Sequence, residues 1–315
     1  MWARIMHANL ASIMPTVVAT WCEQEGHEVQ MICYTGFEDL SKELPQDVDV
    51  VFICSFTQSA LLAYALSNYF RKKGSITVLG GPHARCYPDD AILYFDYVLG
   101  FTHKSTIMRM LEEGESQKDR GIPISEKNQP ILLPGVAERW KYIEPTLKKA
   151  PFIKGVPMIG SLGCPYTCPF CIDSTVPYQS LDFQMIKNDL RFLLTKFQRP
   201  LITWHDPNFG IKFNETLDAI SSVAHPKSFR FIAESSLSIL TEEHLKSFQQ
   251  NGFEAILPGI ESWYDLGNKS RTSHMAGEEK MNRISEHVNR VFRYIPYVQT
   301  NFVLGLDCDE GPEPF

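Results

Sequence analysis

Three cysteines fall close together in Gly163-Cys164-Pro165-Tyr166-Thr167-Cys168-Pro169-Phe170-Cys171, with three and then two residues between them. Closely spaced thiolates are how proteins hold iron–sulfur clusters, and an electron-carrying cluster normally takes four. Three would leave one iron of a 4Fe-4S cluster without a protein ligand, and an open metal position is where a substrate or cofactor binds. A zinc site is one alternative. It needs a fourth Cys or His, and the nearest histidine along the chain is His205. Cysteines buried for packing alone are another, although such residues rarely alternate with prolines on a loop.

The other five cysteines, Cys22, Cys33, Cys54, Cys86 and Cys308, are far apart and mostly sit in apolar runs, where a reduced thiol is expected to act as a small buried hydrophobe. Eight cysteines in 315 residues do not resemble the disulfide framework of a small secreted domain. Their uneven distribution points to a reducing cytoplasm and a metal. The apolar stretch Ala8–Trp21 after Arg4 is interrupted by Asn9, Ser12, Pro15 and Thr16, which argues against a signal peptide. No apolar run is long enough for a membrane span. With a formal charge of -7 and basic clusters no longer than Arg71-Lys72-Lys73 and Lys148-Lys149, nucleic acid is a poor partner.

The elements that must position the cysteines alternate between apolar runs and amphipathic segments, the pattern of βα units on a mainly parallel sheet. In the first half, Ala11–Glu25 reads as a helix closed by Gly26 and Glu28–Tyr34 as a strand. Strand Val48–Ser55, helix Gln58–Lys73, strands Ile76–Leu79 and Tyr97–Leu99, and helix Ser105–Glu113 follow. Between about Gly114 and Pro151 no periodicity is sustained, which suggests a linker. Strands are then expected at Val156–Ser161, Leu201–His205, Arg230–Ala233, Ala255–Gly259 and Val298–Leu304. Helices are expected at Asp182–Phe197, Phe213–Ser222, Thr241–Gln250 and Glu278–Phe292. The expected domains are 1–115, a linker at 116–150, and 151–315.

The Cys-x3-Cys-x2-Cys loop, with Phe170 just before its last cysteine, resembles the signature of the radical S-adenosylmethionine (SAM) superfamily. The resemblance implies that Cys164, Cys168 and Cys171 hold a 4Fe-4S cluster whose open iron chelates SAM. Reductive cleavage of SAM would then give a 5′-deoxyadenosyl radical, with a reductant such as flavodoxin or ferredoxin and a small-molecule substrate as partners. It also implies SAM contacts from Phe170, Asp206, Asn208, Glu234, Ser236, Glu261 and Asn301, at or near the carboxyl ends of barrel strands. Asp206-Pro207-Asn208-Phe209 is similar to an element of the cobalamin-associated branch.

In the first half, Ser55 and Thr57, then Gly80-Gly81-Pro82, then Gly100 resemble the cobalamin-binding Rossmann-like domain that precedes the radical barrel in that branch. Glycines at strand ends let a backbone approach a flat ligand closely. The Asp-x-His-x-x-Gly motif that supplies an axial histidine is absent. Either the cobalt has no protein ligand below it or the domain has lost its cofactor. The expected fold class is therefore α/β: a Rossmann-like doubly wound sheet followed by a partial (β/α) radical SAM barrel that ends before its last unit. The expected function is cobalamin-dependent methylation of an unactivated carbon. Cobalamin-independent radical cyclisation, rearrangement or oxidation is one alternative, and a non-catalytic iron–sulfur or zinc module is another.

Overall fold

The computed structural model describes residues 12–150, 154–263 and 277–305. The described residues divide into two compact units, one built from 12–134 together with 141–146, the other from 135–140 together with those from 147 onward.

In the first unit, strands β1 (Val50–Cys54), β2 (Ile76–Gly80), β3 (Tyr97–Leu99) and β4 (Ile122–Ile124) form a parallel sheet in sequence order. Successive side chains on a strand point to opposite faces, so Val78 and Leu79 enter different cores. Val78, Tyr97 and Leu99 pack with α1 (Ile13–Gln24), through Val17 and Trp21. Leu79 and Val98 pack with α2 (Ala60–Arg71), through Ala60, Ala63 and Tyr64. A short helix, α3 (Pro82–Cys86), follows β2, and α4 (Lys104–Glu113) follows β3, placing Ile107 and Met110 on the α1 face. Helices thus cover both faces, as expected for this class of α/β unit.

The segment Glu28–Tyr34 forms no strand. Val29 packs against the core as a side chain, but the backbone joins no ladder, and a strand needs a hydrogen-bonded partner to persist. The stretch expected to be a linker carries β4 and helix α5 (Val136–Lys149). Of the dispersed cysteines, only Cys22 is buried, while Cys33, Cys54 and Cys86 are exposed and Cys308 lies outside the described residues. Cys54 is open as a residue, yet its sulfur is tucked in, and burial pushes the thiol up to about 11.

In the second unit, β5 (Gly155–Met158), β8 (Leu201–Trp204), β9 (Arg230–Ser236), β10 (Phe253–Glu261) and β11 (Tyr297–Val298) lie side by side, every pair parallel. The expected last strand is split: β12 (Asn301–Phe302) also pairs with β10, beyond a shift in register. A small antiparallel ladder joins β6 (Ser161–Leu162) to β7 (Gln179–Ser180). Helices α6 (Phe183–Lys196), α7 (Phe213–Ser221), α8 (Glu242–Asn251) and α9 (Gly277–Phe292) complete the repeats. Asp182 caps α6 by accepting from Gln184 N at 2.8 Å, and Thr241 caps α8 by accepting from His244 N at 3.3 Å. The core is an aromatic cluster: Phe253 stacks on Phe231 at 4.8 Å and meets Phe248 at 4.3 Å and Phe209 at 5.2 Å. Truncating one such buried ring to Ala typically costs about 3–5 kcal/mol. The parallel sheet sends all its strand ends to one edge.

Candidate radical SAM site

The cysteine loop begins where β5 ends and is closed at its base. Ser161 pairs with Ser180 and Leu162 with Gln179, and Cys164 N donates to Val176 O at 3.3 Å. Gly163 sits at φ +67°, and a Cβ there would collide with the carbonyl oxygens of Val176 and Pro177, the latter at 2.5 Å. Only glycine suits both the conformation and the gap. Beyond it the backbone turns tightly: Cys171 N donates to Cys168 O at 3.1 Å, and Ser174 Oγ donates to Cys171 O at 2.6 Å. Cys164 and Cys168 are buried, Cys171 is half-buried, and none of the three is in a disulfide. Phe170 is exposed.

Asp206, just past β8, holds the root of this loop. Its Oδ1 accepts from Gly160 N at 2.6 Å and Ser161 N at 3.1 Å, and its Oδ2 accepts from Ser161 Oγ at 2.8 Å. Burial outweighs these bonds and raises its carboxyl to about 6. The Trp204 indole N–H lies near enough to favour the charged form without meeting hydrogen-bond geometry.

Asn208 and Ser236 come together at the ends of β8 and β9, with Asn208 Nδ2 donating to Ser236 Oγ at 3.3 Å. Ser236 Oγ lies 2.9 Å from Ser238 Oγ, which lies 3.4 Å from the Tyr166 hydroxyl between the first two cysteines. A polar chain therefore runs from the cysteine loop to the strand ends. At its far end Asn208 Oδ1 is buried without a hydrogen-bond partner among the described residues, a costly state that a ligand donor would relieve. Tyr166 and Ser238 escaped sequence reasoning, since 72 positions separate them and no local pattern links them.

The remaining candidates follow the register. Ser236, Gly259 and Asn301 are aligned across β9, β10 and β12. Glu234 is exposed, two residues earlier on β9. Glu261 ends β10 with φ +69°, an unfavourable conformation for a side-chain-bearing residue and one that gathers at functional sites.

In the first unit, Ser55, Thr57, Gly80, Gly81, Pro82 and Gly100 all lie at or just past the carboxyl ends of β1–β3. Ser55 N donates to Gly80 O at 3.2 Å, and His83 N donates to Ser55 O at 3.0 Å. Gly81, at φ +90°, has no room for a Cβ: such an atom would collide with Cys54 Sγ at 2.7 Å, so the close approach of β1 and β2 here requires glycine. Gly100 N donates to Ile124 O at 2.8 Å, joining β3 to β4.

Residues 158–310 match the model of the Radical SAM superfamily, a span that opens at the end of β5 and contains the cysteine loop and β8–β12. Over this span the chain carries a radical SAM superfamily domain. It is similar to two curated proteins of Chlorobaculum tepidum. Bacteriochlorophyllide d C-8(2)-methyltransferase is 25% identical over 287 residues, which cover 84% of this chain and 60% of that protein. Bacteriochlorophyllide d C-12(1)-methyltransferase is 22% identical over 279 residues, covering 84% and 59%. The chain thus spans about 60% of the length of the curated relatives it matches.

Among solved structures, the radical SAM methyltransferase TsrM from Kitasatospora setae, with tryptophan substrate and a SAM analog bound, superposes with a TM-score of 0.62 at 13% identity. That match covers 98% of this chain and 67% of TsrM. The cobalamin-dependent radical SAM enzyme OxsB, with aqua-cobalamin bound, gives 0.61 at 13% identity, over 100% of this chain and 50% of OxsB. These likenesses establish the fold.

The radical SAM domain's own residues fit the cofactors that the superfamily implies. Three thiols lie on one closed loop, and an orphaned acceptor stands on a neighbouring strand end. Among the described residues no three His, Cys, Asp or Glu side chains gather where a single metal ion could be held. His205, the proposed fourth zinc ligand, lies 3.2 Å from Thr203 Oγ1 through its Nε2. Among the described residues no helix is long and apolar enough to cross a membrane.

Proposed function

We propose that this chain is the cofactor-bearing part of a radical SAM methyltransferase acting on an unactivated carbon, with cobalamin in the first unit. The observation that carries the reading is the closed three-cysteine loop, tied at its root by Asp206 to the strand whose end presents the orphaned Asn208 oxygen. Cys164, Cys168 and Cys171 would hold a 4Fe-4S cluster; bound there with SAM, it supplies reductive cleavage to methionine and a 5′-deoxyadenosyl radical.

The chain's own work is binding and orientation. Asn208 Oδ1 accepts from the bound cofactor, while Ser236, Ser238 and Tyr166 hold the amide in register with the loop. Glu234, Glu261 and Asn301 offer oxygen acceptors on the next strand ends, and Phe170 offers a flat apolar face. Asp206 acts one step back, by fixing Gly160 and Ser161. In the first unit Ser55, Thr57, Gly80, Gly81, Pro82 and Gly100 would receive cobalamin, and the aqua-cobalamin bound to OxsB, whose fold this chain shares, supports that assignment. The thiols require a reducing compartment, so we place the protein in the cytoplasm with a flavodoxin- or ferredoxin-type reductant.

The test is to purify and reconstitute the protein anaerobically with iron and sulfide, then to measure iron, sulfide and cobalt on one preparation and assay 5′-deoxyadenosine under reductant. About four irons and four sulfides per chain, with 5′-deoxyadenosine released, are expected for such a cluster. Replacing all three cysteines by Ala should abolish both signals. A cluster that survives this replacement, or one zinc without sulfide, would overturn the reading.

A further inference from the structure

Past the end of β2, His83 lies buried in a hydrogen-bonded chain of which only Thr57 is among the proposed cofactor contacts. Tyr64 on α2 donates its hydroxyl hydrogen to Asp90 Oδ2 at 2.6 Å. The same hydroxyl oxygen lies 2.6 Å from His83 Nε2, and His83 Nδ1 lies 3.2 Å from Thr57 Oγ1. The chain joins four residues, at positions 57, 64, 83 and 90. Tyr64 is clamped in turn by Tyr94, stacked on it at 4.0 Å, and is itself buried.

The polarity of this chain follows from counting hydrogens. A carboxylate only accepts, and a phenol has one hydrogen to give. With that hydrogen committed to Asp90, the Tyr64 oxygen can meet His83 Nε2 only as an acceptor, so Nε2 carries the ring hydrogen. In the neutral imidazole Nδ1 is then a bare lone pair, and its partner Thr57 must donate. The Thr57 hydroxyl hydrogen is drawn inward, and its oxygen lone pairs are left at the exposed strand end.

We propose that His83 is a positioning residue for the cofactor of the first unit: it fixes Thr57 as a hydrogen-bond acceptor, matched to an N–H donor such as the side-chain amides of a corrinoid. This inference rests on the reading of that unit as the cobalamin site. Asp90 and Tyr64 set the ring's tautomer, and Thr57 alone makes the contact. A freely rotating threonine would lose orientational freedom on binding, whereas here its orientation is preset.

The experiment is equilibrium dialysis of hydroxocobalamin against the full, cluster-reconstituted chain, comparing wild type with Thr57→Val, His83→Leu, His83→Gln and the His83→Leu/Thr57→Val double variant. One neutral hydrogen bond corresponds to about a fivefold change in Kd. Thr57→Val and His83→Leu should each weaken binding about fivefold, and the double variant no more than Thr57→Val alone, since coupled residues do not add. His83→Gln, which keeps a donor for Tyr64 and an acceptor for Thr57, should remain within about twofold of wild type. If His83→Leu does not fold, as judged by circular dichroism, Tyr64→Phe replaces it in the same cycle, with the same lack of additivity expected. Losses that multiply in the double variant, or a His83→Leu protein that binds like wild type, overturn the inference while leaving the cobalamin reading intact. Failure of the wild-type protein to bind hydroxocobalamin overturns that reading and the inference with it.

Discussion

Asp206 gives the sharpest test of how the cysteine loop is held, because two substitutions there should move stability in opposite directions. Burial lifts its carboxyl from 3.8 to about 6 even though it accepts three hydrogen bonds. A tenfold change in proton affinity is worth about 1.4 kcal/mol, so at neutral pH the charged form carries a penalty of about 3 kcal/mol. The sign follows from linkage: a folded value above the unfolded one favours folding fully below pH 3.8, and the benefit is lost as pH rises through about 6.

Both backbone amides use Oδ1, so Asp206→Asn keeps them, and its new Nδ2 can donate to Ser161 Oγ in place of the bond that Oδ2 accepted. The Asn variant should match wild type near pH 4 and exceed it by up to about 3 kcal/mol at pH 7, with its iron content unchanged. Asp206→Ala strands two amides and a hydroxyl at about 1–3 kcal/mol each, and should cost several kcal/mol at every pH. Urea denaturation of the metal-free chain, followed by tryptophan fluorescence from pH 4 to 7, reads both. A gap between Asn and wild type that stays flat with pH, or an Asn variant less stable than wild type at pH 7, would refute the reasoning.

Two further outcomes follow from the same unit. Gly163→Ala, forced against the Val176 and Pro177 carbonyls at φ +67°, should leave the sheet folded by circular dichroism but cut the iron and sulfide retained after reconstitution to under half of wild type. Asp189 accepts from Val136 N at 2.7 Å and faces the buried Arg139, so Asp189→Ala should lower stability by about 3–5 kcal/mol in a denaturation experiment.

The residues show which signals a sequence carries and which it hides. Strand Tyr97–Leu99 matched its expected limits, because a short apolar run between turn signals reads as a strand wherever it lies. The helix expected to open at Thr241 does so, with Thr241 as its cap. The cysteine spacing carried the superfamily. By contrast, β4 was hidden by Pro123 at its centre, a residue that strands tolerate mainly at sheet edges, and β4 is an edge strand. Helix α5 was hidden by Pro145 within it, which normally breaks a helix. Glu28–Tyr34 has strand-forming residues but no neighbour to pair with among the described strands. The Asp206 tether, the Tyr166–Ser238 link and the His83 chain each join positions 19 to 72 residues apart, and no local period encodes such distances.

The ladder between β6 and β7 closes the segment at 163–178 into a ring at its own base. Closing a flexible excursion of that size is a large part of the entropy cost of ordering it, and here the sheet has met that cost before any inorganic part arrives. A chain stripped of its iron by oxygen should therefore keep its three thiols within a confined volume, and recharging it becomes a local assembly step rather than a renewed search by an open chain.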